Sequence, residues 1–234
     1  MLAFPTSVPR FSRVGPSVSS SDCKAKIELD GPSGVYLFHP PKTAGSWLRQ
    51  ALGTYGKVNH GRPADLVTPV DWLGSLSITT ARHPLSRFLS GYRFHQNYDG
   101  LLKQKMVSLR SPFDYLNFLR REHHRQWEYA VFPSFRKFRV DVVLKFEEFG
   151  TWADTLRTFG VVLNLDTPPR KLSGVVPVPA SPGLADVIGV TGLEEEEAWR
   201  LVRLVERHYW PDYLFFGYRK LNFHQGKRFK RARI

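Results

Sequence analysis

The segment His39-Pro40-Pro41-Lys42-Thr43-Ala44-Gly45-Ser46-Trp47 concentrates residue types that can hold an anion. It falls between a β-rich run and a helical pattern, where the unpaired N–H groups of a helix start and the helix dipole favour negative charge. Gly45 allows the backbone to approach a phosphate closely. Thr43 and Ser46 offer hydroxyl donors, and Lys42 places a mobile positive charge over the same point. A second segment, Thr80-Ala81-Arg82-His83-Pro84-Leu85-Ser86-Arg87-Phe88-Leu89-Ser90-Gly91-Tyr92, repeats the theme. Arg82 leaves a strand end and Ser90 lies on the helix that follows, so a second anion site stands beside the first. Two such sites imply a ligand with two phosphates.

The first loop is not a Walker A loop. That motif requires G-x-x-x-x-G-K-[ST], whereas here the lysine precedes the glycine, which disfavours a P-loop kinase or ATPase. In the second segment the spacing of Leu85, Phe88, Leu89 and Tyr92 predicts one buried helix face. Arg87 and Ser90 then fall on the opposite face, available to a ligand. Arg87 has two readings, as a phosphate contact or as the partner of a carboxylate such as Glu147. His83, between Arg82 and the helix start, reads as structural.

The elements that must position these residues alternate. Residues 35–38 and 76–80 read as strands, residues 140–146 as a third, and helices are expected from Ser46, from Pro84 and over residues 151–159. Strands alternating with helices imply parallel pairing and an α/β layered fold. Residues 161–190 carry five prolines and read as a long surface excursion, a kind of loop that is often functional. A last helix is expected to begin in a capping box formed by Thr191 and Glu194, to bury Leu201, Val202, Val205 and Tyr209, and to stop at Pro211.

Composition bounds the partners. The chain has 234 residues, 34 Lys plus Arg against 21 Asp plus Glu, and a formal charge of +13. This excess points to an anionic ligand. Seven of the basic residues lie in residues 219–234, which contain no acid. That basic tail reads either as a solvated terminus or as a contact for a polyanion. Cys23 is the only cysteine, so neither an intramolecular disulfide nor a cysteine-based zinc site can form. No apolar run approaches the roughly 20 residues of a transmembrane helix. Residues 1–33 read as a disordered leader, with six serines in the first 21 residues; a transit peptide is the alternative, against which Pro5, Pro9 and Pro16 argue. One domain is expected over residues 34–218.

Together the two anion motifs resemble those of the sulfotransferases that use 3′-phosphoadenosine 5′-phosphosulfate (PAPS). Pro41-Lys42-Thr43-Ala44-Gly45-Ser46-Trp47 is similar to the family's 5′-phosphosulfate loop, and Arg82 with Ser90 to its 3′-phosphate motif. Val143-Leu144-Lys145-Phe146-Glu147-Glu148-Phe149 and the closing segment at residues 209–218 are similar too. The resemblance implies a three-layer, P-loop-NTPase-like fold around a central parallel sheet. It also implies that Lys42, Thr43, Ala44, Gly45, Ser46, Trp47, Arg82 and Ser90 bind PAPS as co-substrate, with no metal expected.

The His-Pro-Pro-Lys-Thr and Arg-His-Pro-Leu-Ser-Arg forms look like the carbohydrate and membrane-associated branch. Trp47 looks like the cytosolic branch; if it packs beneath the loop, the amides and Ser46 must serve without it. Sulfuryl transfer needs stabilisation of charge on the departing phosphate oxygen, a role for Lys42. It also needs a base. The family commonly uses a His or Glu after its second strand, and Lys57-Val58-Asn59-His60-Gly61 places His60 there, with His95, His123, His124 and Glu147 as rivals.

The acceptor expected is a hydroxyl, preferably on a carbohydrate, with phenols, lipids and protein tyrosines open; residues 106–139, dense in Arg, His and aromatics, read either as a cleft wall for it or as a helix with a solvated basic face. The alternative function is a catalytically inactive basic module that binds nucleic acid or an acidic glycan. A cytoplasmic enzyme is expected, or a Golgi one if the chain is a form lacking its anchor.

Overall fold

The computed structural model describes residues 35–53, 56–59, 62–63, 75–97, 111–121, 125–131, 139–166 and 178–221. Four parallel strands form its sheet: β1 (Val35–Phe38), β2 (Gly56–Asn59), β3 (Leu76–Ala81) and β4 (Val142–Lys145), in the order β2-β1-β3-β4. Both α1 (Gly45–Leu52), after β1, and α2 (Pro84–Asn97), after β3, begin where the sequence expects. The fold class is therefore α/β with a parallel sheet.

Alternation along β1 decides what each face buries. Val35 and Leu37 join Trp47, Leu48 and Leu52 of α1 and Trp152 and Leu156 of α4 (Trp152–Arg157) in one core. Phe38 points the other way, into a smaller cluster with Ala81, Tyr129, Val140 and Phe216. Both faces of the central strand are thus covered, as parallel sheets require. The third and largest cluster joins α2 and α3 (Pro112–Arg121) to α5 (Leu184–Thr191), α6 (Glu195–His208) and α7 (Trp210–Phe216). Leu85, Phe88, Leu89 and Tyr92 of α2 and Leu201, Val202, Val205 and Tyr209 at the other side are buried in it, as their spacing predicts.

Side chains lock the strand register. Phe38 pairs with Thr79 across β1 and β3, and the Thr79 hydroxyl donates to the Phe38 carbonyl at 2.7 Å. At the start of β3, the Ser77 amide and hydroxyl donate to Asp141 Oδ2 at 2.8 and 2.7 Å, and the Asp141 amide returns a bond to the Ser77 hydroxyl at 3.1 Å.

Several expectations are corrected. Gly56–Asn59, which the sequence reading did not single out, is a strand through its pairing with β1, although it carries only one β-branched residue. Residues 161–190 are not a surface excursion throughout, because Val161 and Leu163 are buried and all but the last residue of α5 falls among them. Thr191 does not cap α6: its hydroxyl bonds back to the Val187 carbonyl at 2.7 Å at the end of α5, and Glu194 occupies the cap position. Nor does Pro211 stop α6, which ends at His208; it sits in the first turn of α7, where its missing N–H costs nothing. The leader expected over 1–33 and tail residues 222–234 lie outside the described residues. Among the described residues no helix is long and apolar enough to cross a membrane.

Candidate functional site

The strand order fixes where a ligand can sit. From β1 the chain crosses to β2 on one side, while β3 pairs on the other, so the crevice between the carboxyl ends of β1 and β3 is the switch point at which open α/β sheets bind ligands. Both anion motifs emerge there.

Residues 39–44 turn sharply from β1 into α1. Lys42 (φ 69°) and Ala44 (φ 63°) both adopt the left-handed backbone region, disfavoured for any residue with a Cβ. Ala44 is the cap of α1, and its carbonyl accepts the Trp47 and Leu48 amides at 3.1 Å. The Gly45 and Ser46 amides lie ahead of the helical ladder at its positive end. Ser46 is exposed and Thr43 is not. The Thr43 hydroxyl donates inward to the Pro40 carbonyl at 2.7 Å and accepts from Thr80 at 2.6 Å, so it braces the loop rather than facing a ligand.

Gly45 has a reason beyond phosphate approach. A Cβ there would lie 2.1 Å from Cγ of the buried His39 ring, so only glycine lets the helix start pass. Trp47 packs beneath the loop, 4.5 Å from the Phe149 ring and 6.2 Å from Trp152, only 9% exposed. The structure thus places Trp47 in the core beneath the loop, where the sequence reading expects a nucleotide contact.

Arg82 stands 6% exposed across the crevice. Gln126, in the 3-10 turn Gln126–Tyr129, holds its backbone twice: the Arg82 amide donates to Gln126 Oε1 and Gln126 Nε2 donates to the Arg82 carbonyl, both at 2.8 Å. The buried Asp212 carboxylate in turn accepts the Gln126 and Trp127 amides at 3.0 Å. The guanidinium lies over the Phe146 ring at 4.2 Å and donates to Ser86 Oγ at 2.9 Å, to the Val178 carbonyl at 2.9 Å and to the Lys42 carbonyl at 3.4 Å. The Arg82 guanidinium therefore reaches the backbone of Lys42, and its charge is near enough to act on the Lys42 ammonium.

Burial tunes both groups, and at Lys42 the Arg82 charge adds to it. Lys42 is pushed down to about 8, first by loss of water and then by the Arg82 charge. Arg82 is pushed down to about 10 by burial, against the opposing pull of Glu147 and Tyr218. Glu147 is no partner of Arg87 by hydrogen bond; it accepts the His83 amide at 2.7 Å and the Tyr218 hydroxyl at 2.8 Å. His83 Nε2 faces the Arg219 carbonyl at 3.0 Å, an acceptor only, so this nitrogen carries the hydrogen. Burial pushes His83 down from its ordinary value, in keeping with a structural role.

The expectation that Arg87 faces solvent opposite the apolar stripe is corrected. Arg87 is 5% exposed and lies 5.0 Å from the Tyr209 ring, because α7 and its preceding residue close over that side of α2. Burial pushes the Asp212 carboxyl up, and the Arg87 charge opposes that rise. Arg87 also lines a cavity of about 240 Å³ with Pro41, Lys42, Phe94, His95 and Phe118. Ser90 is half-buried one turn beyond Ser86.

His60 lies outside the described residues, as do His123 and His124. Of the rival bases, His95 lines the cavity beside Lys42 whereas Glu147 is held by His83 and Tyr218. Sequence reasoning missed Ser86, Gln126 and the Val178 carbonyl as supports of Arg82. Only Ser86 had a signal, its place in the first turn of α2 a few residues beyond Arg82; Gln126 and Val178 reach Arg82 from 44 and 96 residues away. Among the described residues no group of three or more His, Cys, Asp or Glu is placed to hold a metal ion. Comparisons with protein-family models, curated proteins and solved structures return no match for this chain.

Proposed function

We propose that this chain is a PAPS-dependent sulfotransferase of P-loop-NTPase-like fold, moving a sulfuryl group to an acceptor hydroxyl by in-line displacement. The observation that carries this reading is the placement of Lys42 and Arg82 on adjacent strand ends at the switch point, tied by the Arg82 bond to the Lys42 carbonyl, with the Gly45 and Ser46 amides at the start of α1 following Lys42. A ligand with phosphates at two ends suits two cations on adjacent strand ends. Ser46, exposed, and Ser90, half-buried, remain available as hydroxyl donors.

In this reading the loop of residues 42–46 holds the 5′-phosphosulfate, and Arg82, steadied by Ser86, and Ser90 hold the 3′-phosphate. PAPS supplies an activated sulfuryl group on an anhydride oxygen. Lys42 sets its positive charge against that oxygen as the bond to sulfur breaks and the electron pair stays behind, which is where a preplaced cation contributes most. A histidine accepts the acceptor's proton: His60 by sequence resemblance, or His95 by its place on the cavity wall.

Calorimetric titration with 3′-phosphoadenosine 5′-phosphate tests the donor site. Binding lost in both Lys42→Ala and Arg82→Ala supports the reading. Failure of the wild-type chain to bind the nucleotide, with salt-dependent binding to an acidic glycan or nucleic acid instead, would replace it with the basic-module alternative.

A further inference from the structure

We infer that the outer face of α7, with Trp210 and Leu214 at its centre, docks on the surface of an anionic lipid bilayer. Trp210 is 49% exposed and Leu214 68%, and they stand four residues apart, one turn along the same side of the helix. Among the described residues the other exposed large apolar side chains, Val143, Val162 and Leu165, share no helix face. Apolar residues scattered singly are ordinary on a surface, whereas a tryptophan and a leucine side by side at these exposures mark a contact face. The helix cannot roll this pair inward. Its other side carries Tyr213 and Phe216 into the core, and the buried Asp212 carboxylate is held by the Gln126 and Trp127 amides.

Charge around the pair selects the occupant. One step around the helix to either side of Leu214, the Arg139 guanidinium lies 5.6 Å from the Phe215 ring and the Lys220 ammonium 5.9 Å from the Tyr213 ring. Exposed Arg203 and Arg207 are on the end of α6 that leads into α7. The carboxylates next to them in the chain are turned away: Glu206 and Asp212 are buried, and Glu206 accepts the Leu221 amide at 2.6 Å. Glu195, Glu196 and Glu197 stand at the opposite end of α6, about 20 Å off. Lys227, Arg228, Lys230, Arg231 and Arg233 follow in a stretch without acid, the first of them within about 20 Å of Leu221 by chain length.

A second copy of the chain would set these cations against their own like, in a protein of net charge +13. A nucleic acid or an acidic glycan would meet the cations and leave Leu214 in water. An anionic bilayer answers both features. The indole ring suits the headgroup level, the leucine enters the acyl boundary, and the Lys and Arg side chains meet the lipid phosphates and carboxylates. A small apolar contact or a basic cluster alone holds a protein weakly, and the two together on one face hold it firmly.

The test is co-sedimentation of the full chain with large vesicles of phosphatidylcholine, alone or mixed with phosphatidylserine. Binding to the mixed vesicles is expected to exceed binding to phosphatidylcholine by about tenfold or more and to weaken with salt. Leu214→Ser and Trp210→Ser should each lower it about fivefold or more, and Trp210→Phe much less, with the melting temperature unchanged in all three because both side chains are exposed. Joint replacement Arg207→Glu and Lys220→Glu should lower binding to the mixed vesicles about tenfold. Absence of binding to the mixed vesicles overturns the assignment. So does binding to which both serine variants are indifferent, since the basic tail alone would then account for it. A dimer in free solution that Leu214→Ser dissociates replaces the bilayer with a second copy, and tighter binding to heparin or duplex RNA than to the mixed vesicles, weakened by the serine variants, replaces it with a polyanion.

Discussion

The Arg82 guanidinium donates to the Lys42 backbone carbonyl at 3.4 Å, so the ends of β1 and β3 are tied through the two residues that would hold opposite ends of one nucleotide. The bond constrains more than the crevice. Lys42 adopts a positive φ, and its carbonyl is turned toward Arg82 in that conformation. The loop after β1 is shaped in part by its neighbour's side chain, which helps to hold a backbone conformation that is costly for a residue with a Cβ.

Replacement of Lys42 by alanine should reduce labelled sulfate transfer about 10²–10³-fold with little change in thermal stability, because a preplaced cation acts mainly on charge that develops in the transition state. Full activity in Lys42→Ala would remove the lysine from the mechanism.

Nucleotide affinity should depend on pH through the same residue. Lys42 titrates near 8 in the free chain, so it is charged below that pH and loses its charge above it. A bound anion favours the charged form and raises this value. Binding at pH 9 should therefore take up a proton, and affinity should fall as pH rises above about 8. Calorimetry in buffers of different ionisation enthalpy measures the uptake; none at pH 9 contradicts the assignment, and Lys42→Arg should abolish the dependence.

Gly45→Ala should displace the start of α1, since its Cβ would meet the His39 ring at 2.1 Å. Overpacking of this kind costs about 1–3 kcal/mol. Both the melting temperature and the nucleotide affinity should fall, and His39→Ala in the same chain should restore part of each. If the double variant recovers nothing, the ring contact is not the reason for the glycine.

The two serines near Arg82 should separate. Ser86 accepts from Arg82 Nε and donates to the Pro179 carbonyl, so Ser86→Ala should cost about 1 kcal/mol in chemical denaturation. Ser90→Ala should leave stability within about 0.5 kcal/mol and weaken nucleotide binding instead. The reverse pattern would exchange their roles.

Much of this protein is legible along the chain because it is local chemistry. The β-rich runs at residues 35–38 and 76–80, the stripe from Leu85 to Tyr92 and the proline at the start of α2 each specify their element through neighbours within a turn or two. The same holds for the two strand-to-helix junctions that carry Lys42 and Arg82. Sequence by itself therefore determined that two cationic junctions follow two parallel strands.

Tertiary structure decided what surrounds them. Thr43 turns inward because Thr80, on another strand, meets its hydroxyl; Trp47 is claimed by Phe149 and Trp152; Arg87 is covered by Tyr209. The aromatic cavity likewise joins α2, α3 and Tyr209, elements whose spacing along the chain says nothing of their contact. A side chain's partners are chosen by packing over long sequence separations, as between Arg82 and a carbonyl 96 residues away, and no local period encodes that choice.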